Sequence, residues 1–167
     1  MRLVSIKDFD IINSLNISVS VWCGYCPIRC EGCHNSKYWS KDSGIEFNDK
    51  HLDIILKKLE EGVSKDLSIL GGEPLADLNV GGVTKLIKAV KETYPSKKIM
   101  LWTGMEWDEI KDYECIKFLD IVIDGKYEHD NKNKTCRLIG SSNQRIIMAK
   151  ESLSTGEVIV CPRELVV

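Results

Sequence analysis

The 167-residue sequence lacks long apolar runs and blocks of basic residues. No stretch approaches the length of a membrane-spanning helix, and the first eight residues contain no apolar segment of the kind found in a secretory signal. The net charge of −2 gives no electrostatic reason to expect binding to nucleic acid or to a membrane surface. We therefore expect a cytoplasmic protein that binds neither.

Familiar catalytic sets are also missing. The sequence shows no Ser-His-Asp or Cys-His set, no paired acidic motif, no phosphate-binding loop and no internal repeat. Hydrophobic residues make up 43% of the chain and charged residues 29%, as in ordinary globular proteins. Length and composition together predict a single domain over residues 1–167.

Cysteine is the unusual component, because four of the seven cysteines fall between positions 23 and 33. Thiols this dense in a chain with intracellular features indicate metal ligation rather than disulfides. Three residues separate the pairs Cys23/Cys26 and Cys30/Cys33, a shorter interval than structural zinc sites use. The order also differs from a ferredoxin ligand run. From Cys26 onward the pattern is C-x3-C-x2-C.

Cys23 lies outside that pattern, and we interpret it as a bystander, since a free cysteine often behaves as a small buried apolar residue. The same interpretation applies to three cysteines that stand alone in the sequence: Cys115, Cys136 and Cys161. A non-enzymatic zinc module held by all four clustered cysteines is the alternative from a different class of protein.

Strand and helix patterns alternate along the chain. Strands are predicted over residues 17–22, 67–70, 99–102 and 121–123, with a final strand over 157–161. Helices are predicted after a cap at Asn48 or Asp49, around Val83 to Val90, and from about Trp107 to Leu119. This alternation predicts βαβ units and a parallel sheet.

Four unusual loops each follow one of the first four strands. They are the cysteine loop, Gly71-Gly72-Glu73-Pro74, Trp102-Thr103-Gly104 and Asp124-Gly125-Lys126. Ligands of such folds bind beyond the carboxyl ends of the strands, so we expect all four loops at one mouth. About four βα units would form a partial barrel with an open side that admits a large substrate.

Two of these loops resemble the motifs of the radical S-adenosylmethionine superfamily. In that superfamily, three cysteines spaced as Cys26, Cys30 and Cys33 hold a [4Fe-4S] cluster whose fourth iron has no protein ligand. Gly71-Gly72-Glu73-Pro74 resembles the GGEP motif, which contacts the amino group of the methionine moiety. The resemblance implies an α/β fold, a partial, open (β/α) TIM-like barrel of the radical S-adenosylmethionine type, with the cluster loop at 23–36.

The resemblance also implies further cofactor contacts. Thr103, Asp124 and Lys126 are placed to help hold the methionine carboxylate and the ribose of S-adenosylmethionine. Three residues of the cysteine loop are also expected beside the cofactor: Gly32, Cys33 and His34. The alternatives are a strand-closing hydroxyl for Thr103, a surface ion pair between Asp124 and Lys126, and a role for His34 in fixing its own loop.

More narrowly, the chain resembles the activating proteins of anaerobic ribonucleoside-triphosphate reductase. Four stretches carry this resemblance: 26–35 with Trp39, 71–75, 101–104 and 140–145. It implies reductive cleavage of S-adenosylmethionine, a glycyl radical formed on the reductase, and a flavodoxin-type electron donor. The nearest alternatives are an activase of another glycyl-radical enzyme, such as pyruvate formate-lyase, and an enzyme like 7-carboxy-7-deazaguanine synthase.

Overall fold

The computed structural model describes residues 1–63 and 65–162. Its strands are β1 (Arg2–Asp10), β2 (Ser18–Cys23), β3 (Ile45–Glu46), β4 (Asp66–Gly71), β5 (Ile99–Trp102), β6 (Ile121–Asp124) and β7 (Arg145–Met148). Its helices are α1 (Asp49–Glu60), α2 (Asp77–Thr93), α3 (Trp107–Ile110) and α4 (Ala149–Thr155). Short 3-10 turns occupy Ser36–Tyr38, Ile116–Phe118 and His129–Asn131. Within these residues, no helix has both the length and the apolar character needed to cross a bilayer.

The seven strands form one mixed sheet in the order β3-β1-β2-β4-β5-β6-β7. Neighbours among β2, β4, β5 and β6 are parallel, and α1, α2 and α3 fall in the three connections between them. The predicted α/β class and the parallel centre of the sheet are therefore confirmed. The sheet is open, since β3 and β7 lie at its two edges.

The antiparallel edges were not predicted. β1 pairs antiparallel with both β2 and β3, and β7 pairs antiparallel with β6. Most β1 residues are partly exposed, so its sequence lacks the alternation that marks a half-buried strand. β7 is only four residues long, and its apolar pair Ile146 and Ile147 is too short to separate a strand from a loop.

Two predicted elements differ from the structure. The helix expected from Trp107 to Leu119 is interrupted, because backbone bonds between residues three apart join Tyr113 to Ile110 and Ile116 to Tyr113. These bonds make tight turns rather than a continued α-helix. The strand expected over 157–161 is also wrong. This segment meets β7 at one isolated bridge, between Val160 and Ile147, and Val160 is largely exposed.

The first two helices pack where the sequence pattern placed them, whereas α4 was not predicted. The Asn48 side chain accepts the backbone N–H groups of Lys50 and His51, and His51 returns the bond through its Nδ1, which makes a capping box. The apolar positions predicted for the second helix are all buried in α2: Val83, Leu86, Ile87 and Val90. Together α1 and α2 cover one face of the sheet, where the main core forms.

The other face of the sheet is covered by chain segments instead of helices. A second core there joins Met100, Ile121 and Ile123 to Leu138 and Ile139, which belong to the segment between β6 and β7. Arg137 ties this segment to the turn between β1 and β2. Its guanidinium donates to the carbonyls of Ile11 (2.8 Å) and Ile12 (3.1 Å). The segment between β6 and β7 thus covers part of this face.

Polar side chains form a buried network on this same face. Ser20 donates to the Asp10 carboxylate (2.6 Å), Ser18 donates to the Asp10 carbonyl (3.2 Å), and Ser68 donates to Ser18 (3.2 Å). Burial of Asp10 opposes its ionisation, but the hydrogen bonds from Ser20, Asn13 and the backbone outweigh burial and lower its pKa. The ionised carboxylate therefore stabilises the turn between β1 and β2.

This network predicts a pH-dependent effect of Asp10→Asn. Because the folded-state pKa lies below the ordinary value of 3.8, the stabilisation is present above that value and is lost as the pH falls further. At pH 7 the variant should lose about 1–2 kcal/mol of unfolding free energy. Urea denaturation followed by circular dichroism, from pH 3 to pH 7, measures the difference.

The matched control is Asp53→Asn, which changes an exposed carboxylate on α1. It should leave the unfolding free energy nearly unchanged at every pH. A difference between wild type and Asp10→Asn that stays constant down to pH 3 would contradict the assignment.

Candidate active site

The carboxyl ends of the parallel strands open onto one cavity of about 550 Å³. The cysteine loop, the glycine turn after β4, Thr103 with Gly104 after β5, and Gly125 after β6 all contribute to its wall. The predicted gathering of four loops at one mouth is thus what the structure shows. Predicted site residues on the wall are Cys26, Cys30, Cys33, His34, Gly71, Gly72, Glu73 and Thr103.

Three thiols face this cavity, and backbone N–H groups approach each of them. Ile28 and Arg29 donate to Cys26, Tyr127 donates to Cys30, and Asn35 donates to the Sγ of Cys33 at 3.4 Å. Burial raises the pKa of Cys26 and of Cys30, and these N–H groups act in the opposite direction by favouring the thiolates. The loop thus presents donors to sulfur, as in iron–sulfur sites.

Cys23 has a different environment from the other three. It ends β2 with no exposed surface and belongs to the main hydrophobic core. Burial raises the pKa of its thiol to about 12, so the side chain stays protonated at neutral pH. The solitary Cys115 and Cys136 are buried as well. Cys23 therefore fits a core residue better than a ligand.

The described residues contain no preformed site for a single metal ion. Across residues 1–63 and 65–162, no three or more His, Cys, Asp or Glu side chains converge on a position for one metal ion. A four-iron cluster is larger than one ion, so its ligands must surround a wider space. Cys26, Cys30 and Cys33 all line one cavity, as the ligands of such a cluster must.

Two indole groups support a polar ligand in the same cavity. Trp22 and Trp39 both contribute to its wall, and their Nε1 atoms are buried without a hydrogen-bond partner among residues 1–63 and 65–162. A buried N–H donor without a partner costs free energy, which a bound acceptor removes. The cavity residues therefore fit a ligand that carries sulfide or carboxylate acceptors.

The glycine turn after β4 lies directly against the cysteine loop. The N–H of Gly72 donates to the carbonyl of Cys23 (2.7 Å), and the N–H of Glu73 donates to that of Tyr25 (2.8 Å). A Cβ on Gly71 would lie 2.5 Å from the Cys23 carbonyl oxygen, and one on Gly72 would lie 2.4 Å from that of Tyr25. Gly71 also adopts φ +115°, which side chains disfavour. Both positions therefore require glycine for backbone packing.

Glu73 joins the loops after β4 and β5. Its buried carboxylate accepts the hydroxyl of Thr103 (2.8 Å) and the N–H groups of Gly104 (2.8 Å) and Leu75 (3.0 Å). Burial raises the pKa of Glu73, although these hydrogen bonds favour the charged form. The sequence predicted Glu73 and Thr103 as separate contacts, and the structure brings them together as one hydrogen-bonded unit.

Asn79 is a site residue that sequence patterns did not identify. It is buried in the first turn of α2, and its Nδ2 donates to the carbonyls of Gly24 and Glu73, both at 2.8 Å. Its Oδ1 accepts the N–H of Arg2 at 2.8 Å. One amide thus ties β1, the cysteine loop and the glycine turn together. A lone asparagine near a helix start carries no signal of such a contact.

Asp124 and Lys126 do not contribute to the cavity wall, and Gly125 between them does. The Asp124 carboxylate is fully buried and accepts the Arg145 guanidinium, with Nε at 3.0 Å, and the N–H of Trp107 at 2.9 Å. Lys126 is exposed, and its carbonyl accepts the side chain of Asn143. The two residues form no ion pair with each other.

Of the predicted residues Gly32 and His34, only His34 lines the cavity. His34 is exposed and contributes to the cavity wall. Gly32 turns the loop with φ +68°, and a Cβ there would lie 2.3 Å from Nδ1 of His129. The loop after β6 therefore packs against the cysteine loop at this glycine.

Residues 140–145 clamp the loop that follows β6. The Ser141 hydroxyl accepts the N–H of Glu128 (3.0 Å), Asn143 donates to the carbonyl of Lys126 (2.8 Å), and Gln144 donates to that of Gly125 (2.9 Å). With the pairing of Arg145 and Asp124, each of these side chains fixes part of the loop that borders Cys30. The Gly-Ser-Ser-Asn-Gln-Arg stretch thus holds one wall of the site.

The clamp predicts a large effect of Arg145→Met. The change leaves the buried Asp124 carboxylate without its cation, which should cost about 3 kcal/mol of unfolding free energy. The double variant Asp124→Asn, Arg145→Met should recover part of this loss, since it buries no charge. Urea denaturation at pH 7 measures all the variants.

Lys150→Met is the control, because Lys150 pairs with a partly exposed Asp120 that keeps Lys91 as a second partner. It should cost less than about 1 kcal/mol. Equal losses of unfolding free energy for Arg145→Met and Lys150→Met would show that the Asp124–Arg145 pair stabilises the fold no more than a surface ion pair does.

Comparison with known proteins gives a consistent result. Residues 15–147 match the family model described as a 4Fe-4S single cluster domain. An anaerobic ribonucleoside-triphosphate reductase-activating protein from Enterobacteria phage T4 is 34% identical over 137 residues, covering 82% of this chain and 87% of the phage protein.

Bacterial proteins with the same name match as well. The relative from Pasteurella multocida is 32% identical, over 87% of this chain and 96% of its own length. The relative from Escherichia coli K12 is 31% identical, over 81% and 90% respectively. On this similarity and the cysteine-lined cavity, the chain belongs to the family of anaerobic ribonucleoside-triphosphate reductase-activating proteins, which carry a 4Fe-4S single cluster domain.

Proposed function

We propose that the protein is a radical S-adenosylmethionine activase that forms a glycyl radical on anaerobic ribonucleoside-triphosphate reductase. The observation that carries this proposal is the separation of the clustered cysteines. Cys26, Cys30 and Cys33 face one cavity, whereas Cys23 is buried in the core. Three thiolates on a four-iron cluster leave one iron open to a chelating cofactor. The names of the relatives supply the target reductase.

In this proposal Cys26, Cys30 and Cys33 hold a [4Fe-4S] cluster, and S-adenosylmethionine binds beside it. When bound, the cluster and cofactor would supply a 5′-deoxyadenosyl radical through one-electron reductive cleavage of S-adenosylmethionine, and this radical would remove a hydrogen atom from a glycine of the reductase. The protein supplies position, hydrogen bonds and exclusion of water. Backbone N–H groups directed at the sulfurs stabilise the thiolate ligands and tune the cluster potential.

The glycine turn is proposed to hold the methionine end of the cofactor. Gly71 and Gly72 offer bare backbone beside the cysteine loop, and Glu73 offers a buried carboxylate. A cofactor ammonium group nearby would favour the ionised carboxylate and offset the cost of its burial. Thr103 donates to Glu73 and accepts the N–H of Met105 (3.1 Å), so it fixes the orientation of that carboxylate.

Other predicted residues act from the rim of the cavity. Asp124 positions the loop after β6 through Arg145, which leaves Gly125 on the cavity wall and Lys126 exposed for the carboxylate or the ribose of the cofactor. His34 presents its imidazole to the cavity, and Gly32 provides the turn that lets Cys33 face inward.

The architecture suits a protein substrate. We interpret the open sheet as a partial (β/α) TIM-like barrel of the radical S-adenosylmethionine type, with residues 1–167 as one domain. Its open side would admit the glycine-bearing loop of a second protein. A reduced flavodoxin-type protein would supply the electron.

The cysteine assignment predicts which thiols the cluster needs. After anaerobic reconstitution, wild type should contain about four irons per chain. Cys26→Ser, Cys30→Ser and Cys33→Ser should each lose most of this iron together with the visible absorption. Cys23→Ala should retain both, and Cys161→Ser serves as the matched control outside the cavity.

The radical itself is measured by electron paramagnetic resonance. Reduced wild type, S-adenosylmethionine and the reductase should give a glycyl radical on the reductase, and the three ligand variants should give none. Loss of the cluster in Cys23→Ala would show that the ligand set is wrong. Cleavage of S-adenosylmethionine without a radical on the reductase would remove the proposed target.

A further inference from the structure

A second depression lies on the outside of the cysteine loop. This outer groove has a volume of about 620 Å³. Its wall consists of Tyr25, Pro27, Arg29, Trp39, Ser40 and Lys41. None of these residues is among those proposed above to hold S-adenosylmethionine, and Trp39 also lines the main cavity.

The outer groove and the main cavity share a thin wall. Cys26, Ile28 and Cys30 face the cavity, whereas the intervening Pro27 and Arg29 face the groove. Alternate residues of one chain segment therefore point to opposite sides, so the wall is a single strand of backbone thick. A molecule in the groove comes next to the cluster ligands without entering the cavity.

The groove carries unpaired positive charge. Arg29 and Lys41 are both exposed, and neither forms an ion pair with a carboxylate of the described residues. Lys41 lies 5.6 Å from the ring centre of Tyr25, which places its charge over the groove. This local charge contrasts with the net charge of −2 for the chain.

Backbone conformation marks the same place. Tyr25 has φ +63° and Arg29 has φ +52°, a region that residues other than glycine avoid. Such strain persists where the surrounding structure requires it, and it clusters at functional sites. Here it turns the two groove residues to the outer side of the segment that carries Cys26.

We propose that the outer groove is the docking site for an acidic protein that carries one electron to the cluster. The inference rests on the proposed function, which needs one electron per reaction. In the step, the carrier is oxidised by one electron and the cluster is reduced by one, with no bond or proton exchanged. Charge complementarity selects an acidic partner, and the thin wall places the partner beside the ligands.

The test measures cluster reduction by reduced bacterial flavodoxin in an anaerobic stopped-flow instrument, without S-adenosylmethionine or reductase. The variant Arg29→Gln, Lys41→Gln should lower the second-order rate constant about tenfold at low salt. The difference from wild type should shrink at high salt, where the charges are screened. Titration calorimetry should show a matching loss of affinity for flavodoxin.

The control is Lys50→Gln, Lys98→Gln, which removes the same two charges from exposed positions outside the groove. It should react with flavodoxin as wild type does. Dithionite, which needs no docking site, reports whether each variant contains a reducible cluster. If Arg29→Gln disturbs cluster assembly, the flavodoxin rates of Lys41→Glu and its control Lys98→Glu are compared instead. Lys41 lies farther along the chain from the proposed ligands.

The docking proposal is overturned by any of three results. The first is equal rates for wild type and the groove variant, and the second is an equal defect in the control. The third is weakened binding of the reductase with unchanged binding of flavodoxin, which would assign the groove to the reductase. The flavodoxin experiment measures no radical, so the proposed function is tested separately. It fails if dithionite-reduced wild type forms no glycyl radical on the reductase in the presence of S-adenosylmethionine.

Discussion

The site depends on the close contact between the cysteine loop and the glycine turn after β4. Two backbone hydrogen bonds, from Gly72 to Cys23 and from Glu73 to Tyr25, fix the loop against the carboxyl end of the sheet. This contact leaves no room for side chains at Gly71 and Gly72. It explains why the cysteine loop and the glycine turn, about forty positions apart in the chain, line the same cavity.

The remaining walls are attached to this contact by buried polar groups. Glu73 extends it to the loop after β5, and Asn79 extends it to the N-terminal strand. On the far side, residues 140–145 hold the loop after β6 next to Cys30. Each link is a hydrogen bond to a backbone group or to the buried Glu73 carboxylate, so loss of one partner leaves the other unsatisfied. The cavity is therefore preorganised by its loops.

Local sequence patterns were enough to predict the parallel centre of the sheet and several residues of the cavity wall, among them the three cysteines, Glu73 and Thr103. Cysteine spacing, paired glycines and strand alternation are short-range signals, and chain order alone places the loops after parallel strands at one edge. The contacts made by single polar residues could not be predicted this way. Asn79 acts across the sheet, and Asp124 turns away from the cavity toward an arginine 21 positions later.

The errors in predicting elements have the same origin. β1 is held by pairing with β2 and β3 instead of by its own alternation, and residues 157–161 meet β7 at an isolated bridge instead of forming a strand. Trp22 is a cavity residue that could have been predicted. Its position in the alternation with Ser18 and Ser20 places it on the face that becomes the cavity wall, which that pattern could have revealed.

The central claim is that three thiolates of this loop leave one iron of the cluster open to S-adenosylmethionine. Mössbauer spectroscopy of protein reconstituted with ⁵⁷Fe tests it directly, with and without the cofactor. The account predicts that about one quarter of the iron signal shifts when S-adenosylmethionine is added. A spectrum in which all the iron stays unchanged would contradict it.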